Sequence, residues 1–303
     1  MTGHSGSHDE ILKRFREELY DEDILHDEDS IGTDDETLLR FLRARKFDLA
    51  QSKKMFVDCQ HWRKTVEGMG LDELYKRIDP FDYPEREVVF DCWPMWFHKT
   101  DKEGRPLNIH FFGGMDLPKL YKSCTPEKHW QTVIVNAESL TREVLPAATR
   151  AAGKPIGTTF VIVDLQGFGL SAFWQMKALA RMAFQISQDY YPETMGQLAI
   201  VNAPSTFTMI WSIMRPWMSK ETVDKVDVLG SNYKSVLLDL VDAENLPASL
   251  GGNYGRVGWG PKAAARRAEN DSDSDIVKEK LNVQVSVREP SLVENGVLPT
   301  IEV

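Results

Sequence analysis

The pattern of apolar and polar positions splits the chain into a helical first part and a longer second part in which short apolar runs alternate with helical stretches. Up to about residue 80 the apolar positions recur at helical spacing. An acidic stretch covers residues 9–19, a second is TLLRFLRARKF, and a third carries Met55, Phe56, Cys59, Trp62 and Val66. Thr33-Asp-Asp-Glu36 reads as a capping box opening the second helix, and Asp48 leads into the third. After Pro80 and Pro84, PMWFHKTDKEGRPLNIHFF predicts a hairpin-like pair of strands turning between Asp101 and Gly104. A long helix follows, entered at Thr125 with Pro126 in its first turn and ending near Pro146. GTTFVIVDLQGFGLS is a strand and turn, residues 171–190 a helix, and residues 198–201 another strand. Strands alternating with helices predict an α/β fold: a largely parallel sheet covered by helices.

Residues 207–218 stand apart from this rhythm. Phe207, Met209, Ile210, Trp211, Ile213, Met214, Trp217 and Met218 make a helix that reads as apolar on nearly every side, closed by Arg215 and Pro216. Spanning a bilayer takes about 20 apolar residues, so this girth must meet protein, a lipid-like ligand or a membrane interface. A buried core helix is the ordinary account. The charged segment 219–227 then leads into a strand at residues 226–229. Alternation assigns the strand faces: Asn108, His110 and Phe112 oppose Leu107, Ile109 and Phe111, while Thr159, Val161 and Val163 oppose Phe160, Ile162 and Asp164. A buried strand carrying both Asn108 and His110 needs partners for both, either core hydrogen bonds or a ligand in a cavity.

Composition narrows the chemistry. With 36 Lys+Arg against 46 Asp+Glu the formal charge is −10, which disfavours nucleic acid and whole-surface binding to anionic membranes, so any phosphate contact must be local. The three cysteines have no CxxC spacing, and the N-terminus lacks the basic start and apolar core of a signal peptide. A cytoplasmic protein is expected. Residues 167–172, GFGLSA, formally satisfy GxGxxA, but the strand before them does not open a βαβ unit and Phe168 would crowd a pyrophosphate. The seven histidines form no HExxH pair, and no nucleophile triad is visible. The basic run Arg40, Arg43, Arg45 and Lys46 is ordinarily a solvated helix face, although in an acidic chain it stands out as a phosphate fork. Glu193 and Lys225, flanking the apolar helix, would ordinarily be exposed surface residues. From Pro261 onward the chain is polar and aperiodic and reads as disordered; Ser272 and Ser274, set among aspartates there, read as solvated linker serines.

Six motifs then occur in a telling order between residues 33 and 252: TLLRFLRARKFD, FHKTDKEGRP, IVDLQG, YYPETMG, IVNAP and ENLPASLGG. Together they resemble the CRAL-TRIO lipid-binding family, in its fungal Sec-fourteen-like phosphatidylinositol-transfer branch. The resemblance implies an N-terminal helical tripod over residues 9–80. It implies a CRAL-TRIO lobe over residues 85–255, whose mostly parallel sheet floors a lipid pocket closed by a gate helix with Phe207, Ile210, Trp211, Met214 and Trp217. It carries the inositol-phospholipid headgroup site onto Arg45 and Lys46 at the phosphate, Asp101 in the strand turn, and Glu193, Thr222 and Lys225 at the inositol. Relatives that also carry phosphatidylcholine use tyrosine or small hydroxyl side chains at the positions of Phe97, Asn108, Ala137, Thr159 and Val161, where only Thr159 keeps a hydroxyl here. The resemblance therefore implies a lipid carrier, not an enzyme: a monomer with bound phospholipid as its only cofactor and no metal. It would bind phosphatidylinositol well and phosphatidylcholine poorly, and touch Golgi or endosomal membranes transiently, with a lipid kinase as a further partner. A carrier or sensor of another hydrophobe is the alternative, with His110 beside Asn108 serving a sterol, another phospholipid or haem.

Overall fold

The computed structural model describes residues 5–254; the tail expected to be disordered lies outside them. The first part is built from α1 (Ser5–Asp21), α2 (Asp35–Ala44) and α3 (Leu49–Thr65). Phe15, Leu19, Leu38, Phe41, Leu42, Phe56 and Cys59 close on one another as its core. The cap of α2 is Asp34, one residue beyond the expected Thr33: its carboxylate accepts from the Thr37 N–H at 3.0 Å. Either residue type can cap, and an ionised carboxylate gains from the helix dipole as well. Asp48 caps α3 through the Gln51 N–H at 3.0 Å. Two short helices follow, α4 (Leu71–Arg77) and α5 (Arg86–Cys92). Neither is long enough to show a period in the sequence.

The sheet runs β1 (Met95–Thr100), β2 (Pro106–Phe111), β3 (Thr159–Asp164), β4 (Met195–Val201) and β5 (Val226–Val228) in spatial order; β1 and β2 form the antiparallel hairpin and the other pairs are parallel. Between β2 and β3 lie α6 (Leu117–Leu120), α7 (Pro126–Ser139) and α8 (Leu145–Ala152); α9 (Leu170–Tyr190) joins β3 to β4, and α10 (Phe207–Met214) with α11 (Lys220–Val223) joins β4 to β5. α12 (Tyr233–Leu240) follows the last strand. The helix entered at Thr125 does not stop at Pro146. A π turn over residues 140–144 precedes it, with the Leu145 N–H bonded back to the Leu140 carbonyl, and this wider ring takes up the register that the proline cannot continue. The helical path then reaches Ala152, where Gly153 at φ 62° ends it.

A parallel sheet whose order follows the chain places right-handed crossovers all on one face. The other face must then be closed by something later in the sequence, and α12 with the segment around Leu246 and Leu250 closes it, against Leu107, Ile109, Phe160, Ile162, Ala199 and Val201. This back layer is dry: Leu107, Ile109, Phe160 and Ile162 are each 0% exposed. The front face is different. Val161, Val163 and Ile200 are buried there, but Met95, Leu198 and Val226 keep partial exposure, as do the front-packing Phe207, Trp211, Met214 and Trp217. The face assignments read from alternation therefore hold, and the front layer is the looser of the two.

Candidate lipid site

The apolar helix covers the loose layer. α10 ends at Met214 and continues as a 3₁₀ turn over residues 215–217, where Pro216 cannot extend an α-helix. It is not uniformly apolar: Ile210 is buried and Phe207, Trp211 and Met214 are half-buried, whereas Thr208, Met209 and Ser212 face outward. Phe207 and Trp211 stack at 5.9 Å, Trp217 meets Phe184 of α9 edge-on at 6.3 Å, and Gln188 Nε2 donates to the Trp217 carbonyl at 2.7 Å. The helix is thus held mainly by side-chain packing and one side-chain hydrogen bond at its C-terminal end.

Four of the six headgroup candidates, Lys46, Glu193, Thr222 and Lys225, gather at the end of the sheet where β4 and β5 begin. Lys225 Nζ donates to Glu193 Oε2 at 2.8 Å, with both side chains half-buried rather than exposed. Glu193 stands just before β4 and Lys225 just before β5; the Lys225 carbonyl accepts from the Leu198 N–H at 2.9 Å, which fixes one beside the other. Thr222 lies in α11, its N–H bonded to Oγ of the capping Ser219 at 3.1 Å. Lys46 reaches across from the end of α2 to Glu221 at 3.0 Å, which brings the RARK loop to α11. Arg45 donates to the Ala44 carbonyl at 3.0 Å and has no carboxylate partner among the described residues. Lys46, Phe47 and Glu193 all sit at positive φ, 52°, 63° and 57°. Left-handed backbone at side chains of this kind costs energy and persists where surrounding bonds over-determine it.

Asp101 stands at the same end of the parallel strands, in the turn before β2, but bonds to none of these side chains. It is 4% exposed, and its carboxylate accepts from the Glu103 N–H at 2.9 Å, the Arg105 N–H at 2.8 Å and Arg105 Nε at 2.6 Å. It locks the hairpin turn and Arg105, which in turn reaches Gln197 at 3.5 Å. A second departure concerns the basic run: Arg40 is buried, with Thr37 Oγ1 as a hydrogen-bond partner at 3.3 Å, because it points inward with Leu38 and Phe41 packed around α2. Arg43 and Lys46 are the exposed members of the run, pairing with Glu36 at 3.2 Å and Glu221 at 3.0 Å.

On the front face of the sheet Phe97, Asn108 and Val161 lie in one cross-strand row, and Met95, His110 and Val163 in the next. His110 Nε2 and Asn108 Oδ1 are 3.0 Å apart. Burial pushes the His110 pKa down to about 4, so the ring is neutral near pH 7. Thr159, the last hydroxyl of the choline-lipid set, is 2% exposed and donates to the Thr194 carbonyl at 3.2 Å. Ala137 is half-buried on α7. The GxGxxA turn is closed: a Cβ at Gly113 would lie 1.7 Å from the Gln166 carbonyl, and Phe168 is packed into the core.

One element escaped the sequence reading. Glu138 of α7 is fully buried and accepts from Arg63 Nη1 at 2.9 Å, Arg63 Nη2 at 2.6 Å, Arg142 Nε at 2.6 Å and the Tyr191 hydroxyl at 2.8 Å. Burial alone would raise its pKa, but the two guanidiniums outweigh this and hold it below the usual range. Tyr191 opens the loop that carries Glu193, and Thr194 Oγ1 donates to the Tyr191 carbonyl at 3.1 Å. The signal was present: Glu138 follows Ile134 and Val135 at i+4 and i+3, which puts a carboxylate on the apolar face of its helix.

Residues 91–252 match the family model of the CRAL/TRIO domain, and residues 7–58 that of the CRAL/TRIO N-terminal domain. The chain is similar to the Sec14 cytosolic factor of Schizosaccharomyces pombe, 46% identical over 220 residues that cover 73% of this chain and 75% of that protein. It is also similar to the phosphatidylinositol/phosphatidylcholine transfer protein SFH12 of Arabidopsis thaliana, 33% identical over 251 residues, 82% of this chain and 45% of that protein. Among solved structures, the crystal structure of Sfh5 shares the fold with a TM-score of 0.60 at 12% identity, over 89% of this chain and 99% of that one.

Proposed function

The chain belongs to the CRAL-TRIO family, and from that premise we propose that it binds phosphatidylinositol and moves it between membranes, with only a weak site for phosphatidylcholine. The observation that carries the reading is the gathering of Lys46, Thr222, Glu193 and Lys225 at one edge of a loosely packed apolar face, with Arg45 next to Lys46 in the chain. A phosphodiester calls for a guanidinium and an ammonium, and an inositol ring calls for a carboxylate acceptor and hydroxyl or ammonium donors. Exposing acyl chains to water costs about 0.8 kcal/mol per CH₂, so a carrier must enclose them, and the front layer under α10 is where they would lie. No helix among the described residues is long and apolar enough to cross a membrane, so contact with a Golgi or endosomal surface would be transient and made through α10. In this reading the protein acts as a monomer without catalysis, delivering its lipid to a membrane or to a lipid kinase.

A vesicle-to-vesicle transfer assay tests it. Lys225→Met and Glu193→Gln each remove a charged hydrogen-bonding group and are expected to lower phosphatidylinositol transfer about tenfold while leaving thermal unfolding in place. Undiminished transfer by both variants would remove the headgroup site. Phosphatidylcholine transfer as fast as phosphatidylinositol transfer would overturn the weak choline site, which rests on the lack of hydroxyl side chains at Phe97, Asn108, Ala137 and Val161 and on Thr159 being bonded to Thr194.

A further inference from the structure

We propose that His8 is a positioning residue for the phosphate end of the headgroup site: its ring, stacked on Phe47, holds the left-handed turn from which Lys46 reaches α11. The inference rests on the headgroup reading of Lys46 and adds the start of α1 to it. α2 closes at Arg45, and the residue after such a cap is most often glycine. Here Lys46 and Phe47 follow instead, both left-handed, at φ 52° and 63°. Backbone bonds close the turn, the Phe47 N–H to the Leu42 carbonyl at 2.8 Å and the Lys46 N–H to the Arg43 carbonyl at 3.1 Å. Glycines would make those bonds equally well, so they do not by themselves offset the steric cost that two Cβ atoms add.

The offsetting contact has to come from a side chain, and Lys46 does not supply it. Its side chain is 81% exposed, and its ion pair with Glu221 is a surface one. Phe47 is the anchored member. It is half-buried at the margin of the core of the first part, and its ring lies 3.8 Å from that of His8, centroid to centroid, with the planes 7° apart. The lie of α1 puts His8 there. Arg16 Nη2 meets Asp35 Oδ1 at 2.6 Å in the first turn of α2, so α1 runs back along α2 and delivers His8, about two turns earlier, to the loop after α2 ends. An aromatic stack and the strain of one left-handed residue are of the same order, so losing the stack shifts the turn without unfolding the helices around it. A turn that relaxes swings the Lys46 ammonium away from α11. By reciprocity, a lipid phosphate held by Lys46 steadies the first turn of α1.

Purified full-length protein is assayed for transfer of radiolabelled phosphatidylinositol between phosphatidylcholine vesicles. His8→Ala is expected to slow transfer about threefold with the thermal midpoint kept within a degree or two, and His8→Phe, which keeps a stacking ring, to transfer at the wild-type rate. Because His8 acts through Lys46, the double variant His8→Ala, Lys46→Met should be no slower than Lys46→Met alone. Loading with phosphatidylinositol should also slow hydrogen exchange at the amides of residues 9–12, which bond back to the first turn of α1, in the wild type and not in His8→Ala. A wild-type rate for His8→Ala, a rate for His8→Phe as slow as that of His8→Ala, losses that multiply in the double variant, or exchange that the lipid leaves unchanged would overturn the proposal. Lys46→Met at the wild-type rate would remove the phosphate end of the headgroup site itself, and this proposal with it, so the two failures are told apart by which single variant is silent.

Discussion

At the scale of single residues, the pocket is governed by what burial does to titratable groups. Burial lowers the pKa of both His110 and His129 to about 4, the latter packed edge-on against Trp93 at 5.2 Å with the Tyr121 hydroxyl 3.4 Å from Nδ1. In the unfolded chain an imidazole titrates near 6.5, so between about pH 6.5 and 4 the unfolded state binds more protons than the folded one. The stability these rings lend is complete above about pH 6.5 and is lost as the pH falls toward 4, each ring contributing at most about 1.4 kcal/mol per pH unit. Denaturant titrations across this range should show that slope, and the double variant His110→Gln, His129→Gln should flatten it; an unchanged slope would mean the rings are not buried neutral. Residues of this kind were legible in the sequence to differing degrees. Asn108 and His110 could be placed on one face because alternation in a strand is strict. Asp101 was legible as a turn carboxylate, but not as one already committed to Arg105, since that depends on a bond four residues away through a folded turn.

At the scale of elements, α10 is a cover fastened by few specific bonds. Its outer side includes Met209, 52% exposed, while its inner side rests on the front layer. A charge at an outward position leaves the inner packing alone but opposes insertion into a membrane interface. Met209→Glu should therefore slow lipid transfer severalfold and leave the thermal midpoint within a degree or two; a variant that transfers at the wild-type rate would show that this side of the helix never meets lipid. The existence of α10 was plain from its apolar run, and the strands from their alternation. The extension of the α7–α8 path past Pro146 was not, because a proline ordinarily ends a helix and a π turn leaves no mark in composition. The short helices α4, α5 and α6 were equally silent, each holding too few residues to display a period.

At the scale of the whole molecule, the helical first part and the lobe are joined through a buried charge. Arg63 of α3 forks onto Glu138 of α7, Trp62 stacks on Tyr190 at 4.2 Å, and Lys46 reaches Glu221. Removing one partner of a buried ion pair typically costs 3–5 kcal/mol, because the others stay buried without compensation. Glu138→Gln keeps the shape and is expected to lose about 3 kcal/mol in denaturant unfolding, and, since Tyr191 leads into the Glu193 loop, to lower phosphatidylinositol transfer beyond the loss of folded protein. A stability loss below about 1 kcal/mol would show that the network is not the joint. The joint was only half legible: each partner could be read as an inward-facing charge on its own helix, but their meeting depends on how two parts of the chain pack.

The two faces of the sheet have a last consequence, best put as a question of what can be exchanged without disassembly. The back layer under α12 is closed by protein alone, whereas the front layer keeps partial exposure on the strands and beneath α10. A beam clad permanently on one side can be stripped and re-clad on the other and still remain a beam. In such a molecule, replacing a hydrophobic occupant asks only the front layer to repack, while the three central strands β2, β3 and β4 stay clamped from behind.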